Sequence, residues 1–146
     1  MEREKRQKLM KLFYDSVCHP LTETKGEDYT QKTDDANSNF KRLAERMKER
    51  GMDKYDVLWV YMSKHMDAID SWFIHRNVES EPIGMRLADA INYLEIMMTM
   101  LIEDHINPFP PNHPLGQMLG AQLDACTVEE LDNAMARLHH GGDGQE

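Results

Sequence analysis

Apolar residues recur at helical spacing between Pro82 and Asp104. They follow one another at steps of four, four, three, four and three residues: Ile83, Leu87, Ile91, Leu94, Met98 and Leu101. Such spacing places them on one face of an α-helix, so the pattern predicts a helix over 82–104 with this face in the core. Ser80 can cap that helix, and Pro82 suits its first turn, where a missing N–H costs nothing.

A second stripe on this predicted helix is polar. Arg86, Asp89 and Asn92 lie at helical spacing beside the apolar face. A charged residue in such a position must be paired, bind a metal or face a wet cleft. This stripe is therefore the first place to look for function.

The helix predicted over 54–76 is apolar on a wide arc. Its stripe consists of Leu58, Met62, His65, Ile69 and Phe73, flanked by Val57, Tyr61, Ala68 and Trp72. Asp53 can cap its start. Since only a short link joins it to 82–104, we expect the two helices to form a central antiparallel hairpin.

Three further helices are predicted outside this hairpin. The first covers 3–18 and ends at His19-Pro20, because the residue before a proline is pushed out of the α region. The second covers 36–50 and is ended by Gly51. The third begins at the capping box Thr127–Glu130 and continues to about His139.

Two segments carry no helical pattern. Residues 19–35 are polar and predict a loop, and residues 105–126 hold four of the six prolines, which predicts little secondary structure. The expected fold is therefore an all-α helical bundle. Its core is expected to cover 1–104, and 105–146 belongs to the same domain.

Composition and net charge limit the classes of partner that the chain is expected to bind. The chain has 146 residues, of which 40% are hydrophobic, and a formal net charge of −9. That charge argues against nucleic-acid backbones and anionic membranes, and no apolar run reaches the roughly 20 residues of a membrane helix. Cys18 and Cys126 have no CxxC spacing and are expected to be free thiols of a cytoplasmic protein.

Carboxylates are the candidate chemistry. In an antiparallel hairpin, Asp67 and Asp70 can face the region of Glu81 and Asp89, and clustered carboxylates are ligands for Mg²⁺. Two nearby cations, Lys64 and Arg86, can then hold phosphate oxygens. Alternatively, Asp67 and Asp70 form a solvated face and Asp89 pairs with Arg86; spacing alone favours this second interpretation. Spacing likewise favours His65 as a hydrogen-bonded core histidine rather than a site residue.

Several short motifs resemble those of small phage and bacterial proteins described as nucleotide-modification-associated or MazG-like. The motifs are Lys25-Gly26-Glu27-Asp28-Tyr29, Asn39-Phe40, Lys64, Glu81 and Asp89-Ala90-Ile91-Asn92-Tyr93-Leu94. The resemblance covers about 9–104. It implies the all-α nucleoside triphosphate pyrophosphatase superfamily, whose members cleave NTPs to NMP and pyrophosphate with Mg²⁺ held by acidic side chains on a helical bundle.

The resemblance also implies roles for particular residues. Metal ligands would be Asp67, Asp70, Glu81 and Asp89, with Asp67, Glu81 and Asp89 as the catalytic carboxylates. Lys64 and Arg86 would contact phosphate, and the remaining contacts to the nucleotide would come from Asp28, Tyr29 and Asn39. Three positions depart from the superfamily pattern: Arg86 stands where an acid is expected, and Asp67-x-x-Asp70 replaces a pair of glutamates.

Two functions follow from this reading. The first is a Mg²⁺-dependent nucleoside triphosphate diphosphohydrolase of the phage or bacterial cytoplasm. The alternative is a non-catalytic helical protein of phage type, which sequesters a nucleotide signal or binds a host protein; Arg86 keeps this alternative open.

The apolar arc of 54–76 also predicts assembly. A single bundle offers too little cover for it, and large exposed apolar patches usually mark an interface. We therefore expect at least a homodimer with the hairpin at a two-fold interface. The alternative is that the proline-rich segment 105–126 covers the patch within one chain.

Overall fold

A computed structural model describes residues 1–30, 35–77, 79–120 and 127–140; the side chains at 26–29, 118–120, 134, 135 and 137–140 fall outside the description. No strand occurs in these ranges, which confirms the all-α prediction. The helices are α1 (Arg3–Phe13), a π-helical segment (Tyr14–Cys18), α2 (His19–Thr30), α3 (Ser38–Met47), a 3₁₀ turn (Lys48–Arg50), α4 (Lys54–His75), α5 (Ile83–Glu103), α6 (Pro114–Gly120) and α7 (Val128–His140).

The chain divides into two compact units, Met1–Met98 and Thr99–Glu146. The first unit contains every candidate site residue of the sequence analysis. The second contains the proline-rich segment and α7. None of the described helices is both long and apolar enough to cross a membrane.

The N-terminal helix does not end at Pro20. Helical structure continues through the π-helical segment into α2 as far as Thr30, so the predicted loop is wrong for 19–30, while 31–34 lie outside the described residues. In the π-helical segment the N–H of His19 bonds the carbonyl of Tyr14, five residues back instead of four. This wider turn directly before Pro20 relieves the clash that a proline ring makes with the preceding turn.

Three of the predicted capping signals are confirmed. Gly51 ends the α3 region with a left-handed φ of 71°. Asp53 accepts hydrogen bonds from the N–H groups of Tyr55 and Asp56, which completes a capping box at the start of α4. Thr127 and Glu130 form the second capping box, ahead of α7.

The predicted core face of α5 is wrong at Leu87 and Leu94, which are 42% and 55% exposed. The other four predicted positions are half-buried. Asp89 and Asn92 of the polar stripe are buried, as is the neighbouring Ala88. The helix turns this side inward because Asp89 contacts Lys25 of α2 and His65 of α4. Glu95, further along the same helix, binds side chains of α2 and the π-helical segment. On α4, Leu58, His65 and Ile69 are buried as predicted, but Phe73 is exposed.

The second unit is organised by Asn107. Its Nδ2 donates to the carbonyl of Gly116 over 2.9 Å, and its Oδ1 accepts from the N–H of Phe109 over 3.0 Å. The ring of Phe109 stacks on His113 at 5.4 Å. Helix α6 begins at Pro114, a position where proline is tolerated; this short helix corrects the expectation of little secondary structure in 105–126.

Two glycines provide a matched test of packing. A Cβ at Gly116 would collide with the backbone carbonyl of Pro110, whereas a Cβ at Gly84 meets nothing within 4 Å. We expect Gly116→Ala to lower the stability of the second unit by about 1–3 kcal/mol through overpacking. Gly84→Ala, in helix α5, should raise stability by about 0.5–1 kcal/mol. Chemical denaturation followed by circular dichroism measures both; equal effects would contradict the close approach at Gly116.

Candidate functional site

Asp89 is the centre of a charged cluster where α2, α4 and α5 meet. The residue is 3% exposed. Its Oδ1 accepts a hydrogen bond from Nζ of Lys25, and its Oδ2 lies 3.2 Å from Nδ1 of His65. Both oxygens of this carboxylate therefore face side chains from other helices, which is what a buried charge requires.

His65 lies between the charges of the cluster. Its Nδ1 is 3.2 Å from Asp89 and 3.4 Å from Nη1 of Arg86. One nitrogen cannot both donate to the carboxylate and accept from the guanidinium, so the two contacts are alternatives. Burial lowers the pKa of His65, and the nearby Asp89 carboxylate offsets this only in part. The ring is therefore neutral at pH 7; it also lies 5.4 Å from the ring of Tyr93.

Arg86 continues the cluster toward the start of α5. Its Nη2 donates to the hydroxyl of Ser80 over 3.0 Å. Its Nε lies 3.1 Å from a carboxylate oxygen of Glu81, an ion pair whose alignment is too poor for a hydrogen bond. The sequence-based pairing of Asp89 with Arg86 is thus corrected: Lys25 is the cation of Asp89, and Glu81 is the anion of Arg86.

Glu95 forms a second contact between α5 and the N-terminal helix. It accepts from the hydroxyl of Tyr14 over 2.7 Å and from Thr22 over 3.4 Å. The hydrogen bond to Glu95 raises the pKa of Tyr14, and burial raises the pKa of the nearby Cys18 thiol.

The contacts also give the relative direction of α2 and α5. Thr22 binds Glu95, whereas Lys25, which follows Thr22 on α2, binds Asp89, which precedes Glu95 on α5. The two helices therefore run antiparallel.

The four predicted metal ligands do not come together in this arrangement. Asp67 and Asp70 are exposed on α4, whereas Glu81 and Asp89 are held by Arg86 and Lys25. Among the described residues, no group of three or more His, Cys, Asp or Glu side chains is placed to hold a metal ion. The donor set that the resemblance implies for Mg²⁺ therefore does not fit the cluster as it stands.

The remaining predicted residues are scattered. Lys64 is exposed on α4, with its Nζ 6.0 Å from the centre of the Tyr61 ring. Asn39 is half-buried on α3, and its Oδ1 has no hydrogen-bond partner in the part of the chain that the structure describes. The side chains of Asp28 and Tyr29 lie outside the described residues.

Two contacts of α5, that of Asp89 with Lys25 and that of Glu95 with Tyr14, are not indicated by the sequence, for different reasons. Lys25 belongs to one of the motifs, but the polar composition of 19–35 predicts a loop, and a loop gives no direction for its side chain. The prediction of His65 as a hydrogen-bonded core histidine is confirmed by its burial and its polar contacts. The signal for those contacts is the three- and four-residue spacing of Arg86, Asp89 and Tyr93, which places them on one helix face. Nothing in the sequence indicates the pairing of Glu95 with Tyr14, because those two residues lie 81 positions apart.

Comparisons of the chain with models of protein families, with curated proteins and with solved structures found no match. The MazG-like resemblance therefore stays a prediction.

The burial of Asp89 leads to a stability prediction. Asp89→Asn leaves Lys25 beside a neutral amide in an enclosed site, and breaking a buried pair costs about 3–5 kcal/mol. Because Lys25 is 35% exposed and can reach water, we expect a loss near the lower limit, about 3 kcal/mol. The exposed Asp70 is the control, and Asp70→Asn should change stability by less than about 0.5 kcal/mol. Urea denaturation without metal measures both; similar losses would show that Asp89 is not a structural charge.

The lowered pKa of His65 predicts a pH dependence. In the unfolded chain a histidine titrates near pH 6.5, so below that pH the unfolded state binds a proton that folded His65 still excludes. The contribution is therefore fully present above about pH 6.5 and is lost as pH falls, at up to about 1.4 kcal/mol per pH unit. Denaturation at about pH 5 to 7.5 should show this slope, which should be absent in His65→Gln and kept in the exposed-site control His75→Gln.

Proposed function

We propose that this protein binds the phosphate groups of a nucleotide at the cluster of Lys25, His65, Arg86 and Asp89, without hydrolysing them. The observation that carries the proposal is the buried Asp89 carboxylate held by Lys25. It brings together residues of two separate motifs, Lys25 of K-x-x-D-Y and Asp89 of the later helix. This proposal corresponds to the alternative function of the sequence analysis, a non-catalytic protein that sequesters a nucleotide signal.

The exposure of the charges favours an anionic ligand. The side chain of Lys25 is 35% exposed, while that of Asp89 is 5% exposed. A ligand approaching from solvent therefore meets the ammonium group before the carboxylate beneath it. Arg86 offers a second cation beside Nδ1 of His65. Charge-assisted bonds from Lys and Arg are the usual means of holding phosphate.

The same contacts favour binding over hydrolysis. Both oxygens of Asp89 are engaged, and Glu81 faces Arg86. Asp67 and Asp70 lie exposed on α4. Arg86 stands where the superfamily pattern has an acid. With Glu81 included, two cations, Lys25 and Arg86, therefore balance the two carboxylates of Asp89 and Glu81. This balance favours an anionic ligand that replaces one of the carboxylates, and it disfavours a metal ion.

Mg²⁺-dependent nucleoside triphosphate diphosphohydrolysis is the second candidate. It is supported by the fact that four residues of the resembling motifs belong to one connected cluster: Lys25, Glu81, Asp89 and Tyr93. The cluster as it stands does not offer a metal ligand set, so this activity requires that Lys25 leave Asp89. Release of NMP and pyrophosphate distinguishes it from binding alone.

Isothermal titration calorimetry with a panel of NTPs, dNTPs and cyclic or linear oligonucleotide signals tests the proposal. We expect binding of at least one nucleotide, weakened at least about tenfold by Lys25→Met or Arg86→Met, since each removes a charge-assisted hydrogen bond. Lys11→Met, on the exposed α1 and paired with Asp15, is the matched control and should bind as the wild type does.

Product analysis by chromatography, with and without Mg²⁺, completes the panel. Intact nucleotide supports the binding function. Formation of NMP and pyrophosphate that Asp89→Asn abolishes would favour the hydrolase, and no binding of any nucleotide would overturn both.

A further inference from the structure

Helix α4 carries apolar side chains on two opposite faces. One face is buried and contains Val57, Leu58, His65 and Ile69. The opposite face, here named the outer face, consists of Trp59, Val60, Ser63, Met66, Asp67, Asp70, Phe73 and Ile74. Its five apolar members are all exposed, from 38% for Met66 to 74% for Ile74. Exposed apolar side chains grouped on one face of a helix usually mark a contact surface.

The spacing of the outer face is that of a helix–helix contact. Trp59, Met66 and Phe73 follow one another at intervals of seven residues, as do Val60, Asp67 and Ile74. A seven-residue repeat keeps side chains on one edge over successive pairs of turns, which is the pattern of helices that pack along their length. The apolar residues sit at both ends of the face, and Met66 lies midway.

We propose that the outer face of α4 packs antiparallel against the same face of a second copy of this chain. A two-fold axis beside Met66 places it against Met66 of the second copy, and Trp59 against Phe73 of the second copy. Val60 then meets Ile74 of the second copy. The pattern is self-complementary in this direction because its two ends carry the same kind of side chain, as an isologous interface requires.

Charge supports a second copy as the occupant. The polar middle of α4 has Ser63 and Lys64 on the N-terminal side and Asp67 and Asp70 on the C-terminal side. An antiparallel copy brings Lys64 next to Asp67 of the other chain, and Ser63 opposite Asp70 of the other chain. The two carboxylates predicted as metal ligands become the partners of a lysine and a hydroxyl across the interface. This inference does not depend on nucleotide binding.

Light scattering and analytical ultracentrifugation of the full chain test the assembly. We expect a mass of twice the 17.0 kDa of one chain at micromolar concentration. Met66→Lys sets two like charges against each other at the axis and should weaken dimerisation at least about a hundredfold. Met10→Lys, at an exposed methionine of α1, is the matched control and should leave the mass unchanged; circular dichroism verifies that both variants fold.

Cysteine crosslinking tests the register. With a short bismaleimide, Met66→Cys should crosslink to itself, whereas Trp59→Cys should crosslink only after mixing with Phe73→Cys. The wild type, with its native Cys18 and Cys126, gives the background. A mass near 17.0 kDa that does not change with concentration would overturn the proposal, as would occur if 105–126 covered the face within one chain. A dimer that resists Met66→Lys and does not crosslink at position 66 would overturn it as well.

Discussion

The buried carboxylate of Asp89 is the constraint on which the arrangement of the first unit depends. A buried carboxylate is tolerated only when other groups replace the water it has lost. Lys25 and His65 do so from two different helices. Lys25 can reach the carboxylate because the N-terminal helix continues past Pro20, and the π-helical turn before that proline is what allows the continuation. The π-helical turn at Tyr14–Cys18 therefore contributes to the position of Lys25 beside Asp89, although Asp89 lies far away in the sequence.

Turning the polar stripe of α5 inward has a consequence for its apolar side. With Asp89 and Asn92 buried and Glu95 bound to Tyr14 and Thr22, the opposite side of the helix faces outward, and Leu87 and Leu94 are exposed. One chain cannot bury both sides of this helix against α2. The first unit has thus gained specific polar contacts between α2, α4 and α5 while leaving apolar surface open, and burial of apolar surface is the main source of association free energy.

What the sequence predicted well was local. Capping at Asp53, Gly51 and Thr127 depends on neighbouring residues alone, and these helix ends were correct. The core face of α5 is wrong at Leu87 and Leu94. Its apolar and polar stripes have the same helical period, and only long-range partners decide which one turns inward. The site shows the same division: the spacing of Arg86 and Asp89 indicated a charged helix face, but Lys25 as the partner required knowing that α2 exists.

The charge balance of the cluster is the main physical argument for the phosphate binding proposed above. A set of carboxylates without cations repels itself until a metal ion neutralises it. Here Lys25 and Arg86 match Asp89 and Glu81, and the neutral His65 adds no charge. Such a cluster is stable on its own, so a ligand must compete with an internal carboxylate. A phosphate can do this because it brings more negative charge and more acceptor oxygens than the carboxylate that it displaces. The affinity is then set by the difference between the two anions, not by the full attraction of the cations for phosphate.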